Sequence, residues 1–552
     1  MLALLPDENP FAQPYAGRWV ACVDGRIVAQ GGTPQQAQAA AQRSRNKEQL
    51  QIRYIPLMTT LPFSPLFNRI CAVLPTDVPV YLVGGAVRDA LRGRTSHDLD
   101  FVVQGNARTM ARQVGDALEA AYYPLHDDFD AGRVVLQDVD GRLVIDFIGL
   151  HPDGLEADLR ARDFTLNAIA VDVRNPQQLL DPLGGAADLR RGILRVCSPA
   201  SLRNDPVRIL RAVRMAVNMD LQIAPETRRL IQDALPGLPR VSIERVRSEI
   251  LRILGGARPA VALRTLDVLG VLPAIFPETT ALKGVVQSPP HIYPVWEHTL
   301  DVVARLDAVL NVLGTGEQAR SSADNLVLGH VSLRLGRYRE HITHHLAAEL
   351  TPDISRRALL FFAALYHDSA KPLTRSQDED GRIRFFGHDA QGADLVSARA
   401  HAMHMSSDEI SILKRIVANH MRPLLLGQGA ESPGDRAVYR FFRDAGDAGV
   451  DVCLLSLADF LGTYGAGVPQ DAWAHHVDTV RILLDGWWAR PERVVLPTPL
   501  LNGHDIIEIF GLSPGPQIGA LLEALREAQA GGEVSDRAQA LAFLQSQVDR
   551  QA

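Results

Sequence analysis

The stretch Tyr81–Gln104, YLVGGAVRDALRGRTSHDLDFVVQ, constrains the fold more than any other part of the chain. An apolar run ends at Gly84-Gly85, a segment carrying Arg88 follows, and Asp98-Leu99-Asp100 leads into Phe101-Val102-Val103. The alternation over Asp98, Leu99 and Asp100 predicts a strand with both carboxylates on one face. Two adjacent acids repel, so a fold retains them only with a compensating cation. Hard carboxylate oxygens suit Mg²⁺, which also coordinates substrate phosphates. A glycine pair ahead of a helix lets backbone N–H groups approach those phosphates closely. Glycine turn, helix and D-x-D strand in succession therefore predict phosphoryl transfer, with two metal ions as its mechanism. Taken singly, the glycines are a turn and the acids a solvated strand.

Joined at this spacing, GGAVRDALRGR…HDLDFVV resembles the class II tRNA nucleotidyltransferase/poly(A) polymerase family. The resemblance spans roughly Leu61 to the end of the chain. It implies a mixed-sheet nucleotidyltransferase head, then all-α neck/body, HD and tail domains; with a small β-hairpin/α module at the N-terminus, outside the resemblance, the chain is expected to be α+β. In this frame Asp98 and Asp100 hold Mg²⁺, and Gly84, Gly85 and Arg88 cradle a triphosphate.

A chain of 552 residues predicts several domains, because single cores rarely grow past about 300 residues. We expect an accessory module over 1–55, the catalytic head over 56–182 and a base-reading, RNA-binding neck and body over 183–285. An HD domain over 286–475 with an insertion at 313–354 and a helical tail over 476–552 follow. No segment reaches the roughly 18 unbroken apolar residues of a membrane span. The opening MLALLPDENPFAQP lacks the basic start of a signal peptide. Cys22, Cys71, Cys197 and Cys453 are scattered and form no C-x-x-C pair, which predicts a reduced, cytoplasmic setting.

A net charge of −7 does not announce a nucleic-acid binder. Its distribution says more: between Arg160 and Arg264 arginines recur with no lysine, a basic surface suited to an RNA backbone.

Within 1–55, RWVACVDGRIVAQGG reads as a hairpin turning at Asp24-Gly25, with a short helix over Ala37–Arg45 behind it. It resembles a small prokaryotic domain with no assigned chemistry. Across the head, the sequence predicts helices over Pro65–Leu74 and Ala107–Ala120 and a strand over Val80–Val83. A hairpin over Gly132–Gln137 and Gly141–Ile148 returns Asp146 to the D-x-D edge as a third metal carboxylate or an exposed strand acid. DLRARDFTLNAIAV then matches the family's D-F-T-x-N-A motif. By that resemblance Arg162 and Asp163 hold the nucleotide's triphosphate and ribose, with Asn167 close by. An Arg fork fits phosphate oxygens, and a carboxylate accepts from the 2′-OH. The family more often places two adjacent arginines before the Asp; this chain has Arg160-Ala161-Arg162.

SLRNDPVRILRAVRMAV carries the family's base-reading motif with its first Glu replaced by Asn204. Asp205, as N-cap before Pro206, and Arg208 sit a turn apart. The resemblance makes them a protein template for the base edges of CTP and ATP, with Arg211 and Arg214 as further nucleotide contacts. Asp188 with Arg190-Arg191 fits a structural role as well as nucleotide or RNA contact, and Glu244-Arg245 further on reads as an orienting ion pair rather than chemistry.

From about Ser288 the composition changes. His298, His367-Asp368, His388, His420 and Asp459 follow apolar helical runs in an order that resembles the HD phosphohydrolase superfamily. Imidazoles with carboxylates suit a divalent transition metal. His388 and His420 offer a second ion its ligands, and Lys371 beside them a hold on phosphate. The stretch 313–354 is longer than the usual connection; its His341, His344 and His345 read as solvated helix residues.

Together these features predict addition of C and/or A to tRNA 3′ ends from CTP and ATP, with a second, phosphate-ester-hydrolysing centre. Poly(A) polymerase and A-only or CC-only addition share every motif. An HD phosphohydrolase with a binding-only head is the reading from a different class, and a non-enzymatic RNA binder a third.

Overall fold

The computed structural model describes residues 18–23, 26–31, 33–42, 50–55, 61–125, 130–138, 141–314, 326–351, 354–429 and 432–550. It divides into two compact units, Met1–Gly237 and Leu238–Ala552, so the boundary falls inside the 183–285 stretch.

The first unit opens with a three-stranded antiparallel sheet, order β2-β1-β3, from β1 (Arg18–Val23), β2 (Arg26–Gly31) and β3 (Gln51–Ile55), with α1 (Pro34–Gln42) packed on it. The Asp24-Gly25 turn lies outside the described residues, as does the end of the expected helix beyond Gln42.

The head is built on a seven-stranded mixed sheet of order β10-β9-β4-β5-β8-β7-β6. Its strands are β4 (Val80–Val83), β5 (Asp98–Val103), β6 (Ala121–Pro124), β7 (Ala131–Asp138), β8 (Gly141–Gly149), β9 (Ala170–Asp172) and β10 (Asn175–Leu180). Only β5 and β8 run parallel. Their alternate residues bury one face: Leu99, Phe101, Ile145 and Phe147 are buried, and Phe101 stacks on Phe147 at 5.0 Å between centroids. The opposite face is left to Asp98, Asp100 and Asp146.

Local signals set the head's helices. Ser64 accepts from the Phe67 N–H at the start of α2 (Pro65–Val73), with Pro65 at the first helical position. Asn106 caps α4 (Ala107–Ala117) by accepting from Thr109, while Asp130 accepts from the Ala107 and Arg108 N–H groups. Between them α3 (Gly85–Leu91) follows β4 directly. Then come α5 (Leu155–Ala161), α6 (Gly185–Arg191), α7 (Ser201–Asn204), α8 (Arg208–Met219) and α9 (Pro225–Ala234). Helix α8 begins two residues later than an N-cap at Asp205 would place it. Asp205 ends α7, the Arg208 N–H donates to its carbonyl, and Val207 is the residue that precedes the helix.

The second unit is helical, with two short hairpins set into it, Glu349–Thr351 with Ile354–Ser355 and Arg375–Gln377 with Ile383–Phe385. Helices Val295–Leu313, Arg356–Tyr366, His388–Ala402, Ser407–Asn419 and Gly449–Tyr464 surround its core. Leu359, Phe361, Phe362, Leu413, Ile416 and Leu454 are fully buried there. Among the described residues no helix is long and apolar enough to cross a membrane.

His345 departs from the expectation of a solvated residue. Helix Arg339–Ala347 turns it inward with Ile342 and Leu346, and its Nε2 lies 3.0 Å from Asp451 Oδ2. Asp451 is fully buried and also accepts from Arg356 Nε at 2.9 Å and Nη2 at 2.7 Å. A buried carboxylate retains its charge only with such partners, and they hold its pKa below the usual value against burial. His341 and His344 are exposed, as expected.

Candidate active sites

In the head, the register of the sheet brings the acids together. Asp100 on β5 directly opposes Asp146 on β8, and Asp98 lies two residues before Asp100 on the same face. Burial pushes the Asp100 carboxyl pKa up; Arg162 draws it down, while Asp146 and Asp98 add to the rise. Three oxygen-bearing acids on one face, mutually repelling, form a donor set that fits a hard divalent cation. Gly84 closes the other side. It has φ +77°, and a Cβ there would stand 3.3 Å from both Arg162 Nη1 and Asp100 Oδ2, so neither an L side chain's backbone preference nor the space suits anything larger.

The sequence-distant motif residues form one chain of polar contacts. Arg211 Nε lies 2.7 Å from Asp163 Oδ2; Asp163 Oδ1 accepts from Asn167 Nδ2 at 3.0 Å and from the Phe164 N–H at 2.7 Å. Asn167 Oδ1 in turn accepts from Arg88 Nη1 at 2.7 Å, and the rest of that guanidinium forks onto Asp89. Arg162 pairs with Asp158 one helical turn back, whereas Arg160 pairs with Glu156 on the exposed face of α5. The spacing that departs from two adjacent arginines therefore leaves only Arg162 beside Gly84 and Asp100.

Arg208 is anchored at the start of α8. Its Nη1 donates to Ser201 Oγ at 2.8 Å and to the Ala161 and Arg162 carbonyls at 3.2 Å each, and its Nε lies 3.7 Å from Asp205. Arg211 and Arg214 follow at intervals of three along α8; Arg211 is on the Asp163 contact and Arg214 is half-buried. Asp188 is buried, accepting from Thr165 Oγ1 and pairing with Arg195, a structural placement. Glu244 pairs with His404 at 2.8 Å.

Arg133 was not singled out by sequence. It donates Nε to Asp146 Oδ1 at 2.8 Å and Nη2 to Oδ2 at 2.7 Å. The signal lay in the hairpin: Arg133 and Asp146 are equally distant from the turn between β7 and β8.

The second unit gathers the other six nominated residues. His298, His367 and Asp459 form one group of potential ligands, and Asp368, His388 and His420 another, each within 4.8 Å of one another. Asp368 faces both, with Oδ2 3.3 Å from His367 Nε2 and 3.5 Å from His298 Nε2, and Oδ1 3.5 Å from His388 Nε2. The Nδ1–H groups of His367, His388 and His420 donate to the carbonyls of Ala364, Phe385 and Val417 at 2.7–2.8 Å. That fixes the tautomer and turns each Nε2 lone pair inward, the arrangement metal-ligating histidines adopt. Burial, then His367 and His388, push the His420 pKa down to about 4. Burial opposes charge on His367 too, but Asp368 and then Asp459 outweigh it and raise its pKa. Inward-facing imidazole Nε2 atoms with buried carboxylates form a donor set that fits a divalent metal.

This centre opens into a cavity of about 720 Å³ lined by Lys371, Arg384, His291, Asp368, His388 and Asp459 among others. Lys371 Nζ rests between Asp368 Oδ2 at 2.7 Å and Gln287 Oε1 at 2.6 Å. Gln287 and His291 escaped the sequence reading because nothing marks an isolated polar residue in a loop as facing a cavity.

A D-x-D strand beside a glycine turn in a mixed sheet, with an arginine-bearing helix behind it, defines a nucleotidyltransferase. Family models agree: residues 80–195 match the poly A polymerase head domain, 220–283 the probable RNA and SrmB-binding site of polymerase A, and 340–459 the HD domain. His298 lies outside the HD match although the structure brings it to the centre. Residues 11–57 match a family of unknown function. The chain is 33% identical to the A-adding tRNA nucleotidyltransferase of Deinococcus radiodurans, over 87% of this chain and 98% of that one. It is 32% identical to the CC-adding tRNA nucleotidyltransferase of Thermus thermophilus, over 85% and 94%. A solved CCA-adding enzyme in its apo form shares the fold, with TM-score 0.56 and 21% identity over 87% of this chain and 93% of that one. The chain belongs to the tRNA nucleotidyltransferase family.

Proposed function

We propose that this chain is a template-independent RNA nucleotidyltransferase adding C and/or A to the 3′ end of tRNA from CTP and ATP. The observation that carries this reading is the opposed acid row Asp98, Asp100 and Asp146 beside the chain of contacts from Arg88 through Asn167 and Asp163 to Arg211. The relatives' names, A-adding and CC-adding, support transfer to tRNA. They do not favour a poly(A) polymerase, nor a hydrolase with a binding-only head.

The RNA 3′-oxygen attacks the α-phosphorus, the bond from that phosphorus to the β-phosphate's bridging oxygen breaks, and pyrophosphate leaves. Mg²⁺ held by Asp98, Asp100 and Asp146 would neutralise the charge that builds on the attacking and leaving oxygens. Gly84 and Gly85 let the triphosphate approach the backbone, and Arg88 and Arg162 supply guanidinium donors to it. Asp163 accepts from the ribose 2′-OH, with Asn167 fixing its rotamer. Asp205 and Arg208 present a carboxylate acceptor and guanidinium donors to the base edge, a mixed set able to pair with both C and A; Arg211 and Arg214 extend the cationic face. The RNA is held by phosphates and shape along the arginine-rich helices of the 183–285 neck and body.

In the 286–475 domain, His298, His367, Asp368, His388, His420 and Asp459 would hold a divalent transition metal, with Lys371 reaching a phosphate from the cavity. That chemistry suits hydrolysis of phosphate esters such as 2′,3′-cyclic phosphates or nucleotides. Residues 1–55 act as an accessory module and 476–552 as a helical tail, and the enzyme works in the cytoplasm with its cysteines reduced.

Substituting Asp98→Ala with Asp100→Ala abolishes nucleotide incorporation while phosphate-ester hydrolysis persists. Incorporation at the wild-type rate by that variant overturns the assignment.

A further inference from the structure

The acid row in the head does not end at Asp146. Asp100 on β5, Asp146 on β8 and Arg133 on β7 are directly opposed in turn, so all three side chains share one face of the sheet. The Arg133 guanidinium takes both oxygens of Asp146, at 2.8 Å and 2.7 Å. Such a fork is the strongest hydrogen-bonded geometry a carboxylate makes with a side chain. Among the described residues Asp98 and Asp100 have no equivalent fork; of the three acids, only Asp146 is neutralised there by a partner of its own within the sheet.

We propose that Arg133 is a positioning residue for the third carboxylate, a built-in counter-cation that holds Asp146 until a divalent cation replaces it. The reading rests on the head being a metal-dependent transferase. Without Arg133, three carboxylates would repel one another across adjacent strands. With it, the acid row stays paired, and an entering cation must compete with a guanidinium for Asp146. The guanidinium has somewhere to go. Its side chain is 38% exposed against 16% for Asp146, and its other cross-strand neighbour, Tyr123 on the edge strand β6, is 53% exposed. Arg133 thereby sets the affinity of the head for its cation by acting through Asp146, and touches neither substrate nor the reacting atoms.

The test is Mn²⁺ binding to the full-length chain, without nucleotide or RNA, followed by titration calorimetry. The head's share of the isotherm is the part that Asp98→Asn with Asp100→Asn removes, which separates it from ions bound in the second unit. Arg133→Ala tightens Mn²⁺ binding in that share about ten-fold, the size of coupling between residues in contact. Arg133→Lys, which keeps a charge but loses the fork, moves it the same way by a smaller factor and carries the test if the alanine variant does not fold. Adding Asp146→Asn erases the effect of either. An unchanged or weakened affinity in both variants overturns the proposal, as does equal tightening with Asp146→Asn present. Should Asp98→Asn with Asp100→Asn remove no binding at all, the metal-dependent reading of the head fails instead.

Discussion

His388 Nε2 and His420 Nε2 lie 3.3 Å apart in a buried pocket, while the Nδ1–H of each donates to a backbone carbonyl. With both Nδ1–H groups so engaged, the two Nε2 atoms face each other, an arrangement that a divalent cation between them would stabilise. Adding Ni²⁺ to chelator-treated protein therefore raises the melting temperature, by mass action on the folded state. His388→Ala with His420→Ala reduces the rise while leaving nucleotide addition intact. An undiminished rise in that variant would place the ion elsewhere.

Arg208 ties the start of α8 to Ser201 and to the carbonyls just before Asp163. Arg208→Ala blurs the choice between CTP and ATP more than it weakens tRNA binding, read as kcat/KM for each nucleotide beside Kd for the primer. It also costs about 1 kcal/mol of stability, since part-buried acceptors lose a charged donor. Retained discrimination removes its base-reading role.

Gly84→Ala places a methyl group 3.3 Å from Arg162 Nη1 and Asp100 Oδ2 at φ +77°. Strain of about 1–3 kcal/mol at such a position falls on the acid row. Incorporation slows about ten-fold or more in kcat, while melting shifts only modestly. A normal kcat would show that the turn has room to spare.

Asp451 supplies a pH dependence whose sign follows from its partners. Burial alone would raise its pKa, but His345 and Arg356 hold it below the usual carboxylate value. A carboxylate with a depressed folded pKa adds stability above its unfolded pKa, about 3.9, and loses it as pH falls toward the folded value. The second unit thus loses stability on acidification below about pH 4. Asp451→Asn lowers stability at neutral pH by about 3–5 kcal/mol, as breaking a buried pair does, and flattens the acid limb. Denaturant midpoints measured from pH 3 to pH 7 check both.

Legibility in the sequence tracked periodicity and spacing. Strand β4 was readable to the residue because an apolar run ends abruptly at Gly84-Gly85, and β7 with β8 because alternation brackets a polar turn. Asp98 and Asp100 could be placed on one face from period-two counting, and Asp146 on a strand beside them, but not its register opposite Asp100. What escaped were relations that sequence spacing does not encode. The chain from Arg88 to Arg211 joins three separate motifs only after the sheet and α8 are packed. Asp205 looked like an N-cap because Pro206 follows it, yet the chain makes a further turn before α8. His345 looked solvated because the buried carboxylate that recruits it lies 106 residues away.

The most direct measurement supplies purified protein and Mg²⁺ with tRNA transcripts ending before CCA, after C and after CC. Each receives CTP, ATP or both, and products are read at single-nucleotide resolution. The account predicts that only missing C and/or A residues are added, that addition then stops, and that Asp98→Ala with Asp100→Ala abolishes it. Long A tails, or no incorporation on any of the three ends, would contradict it.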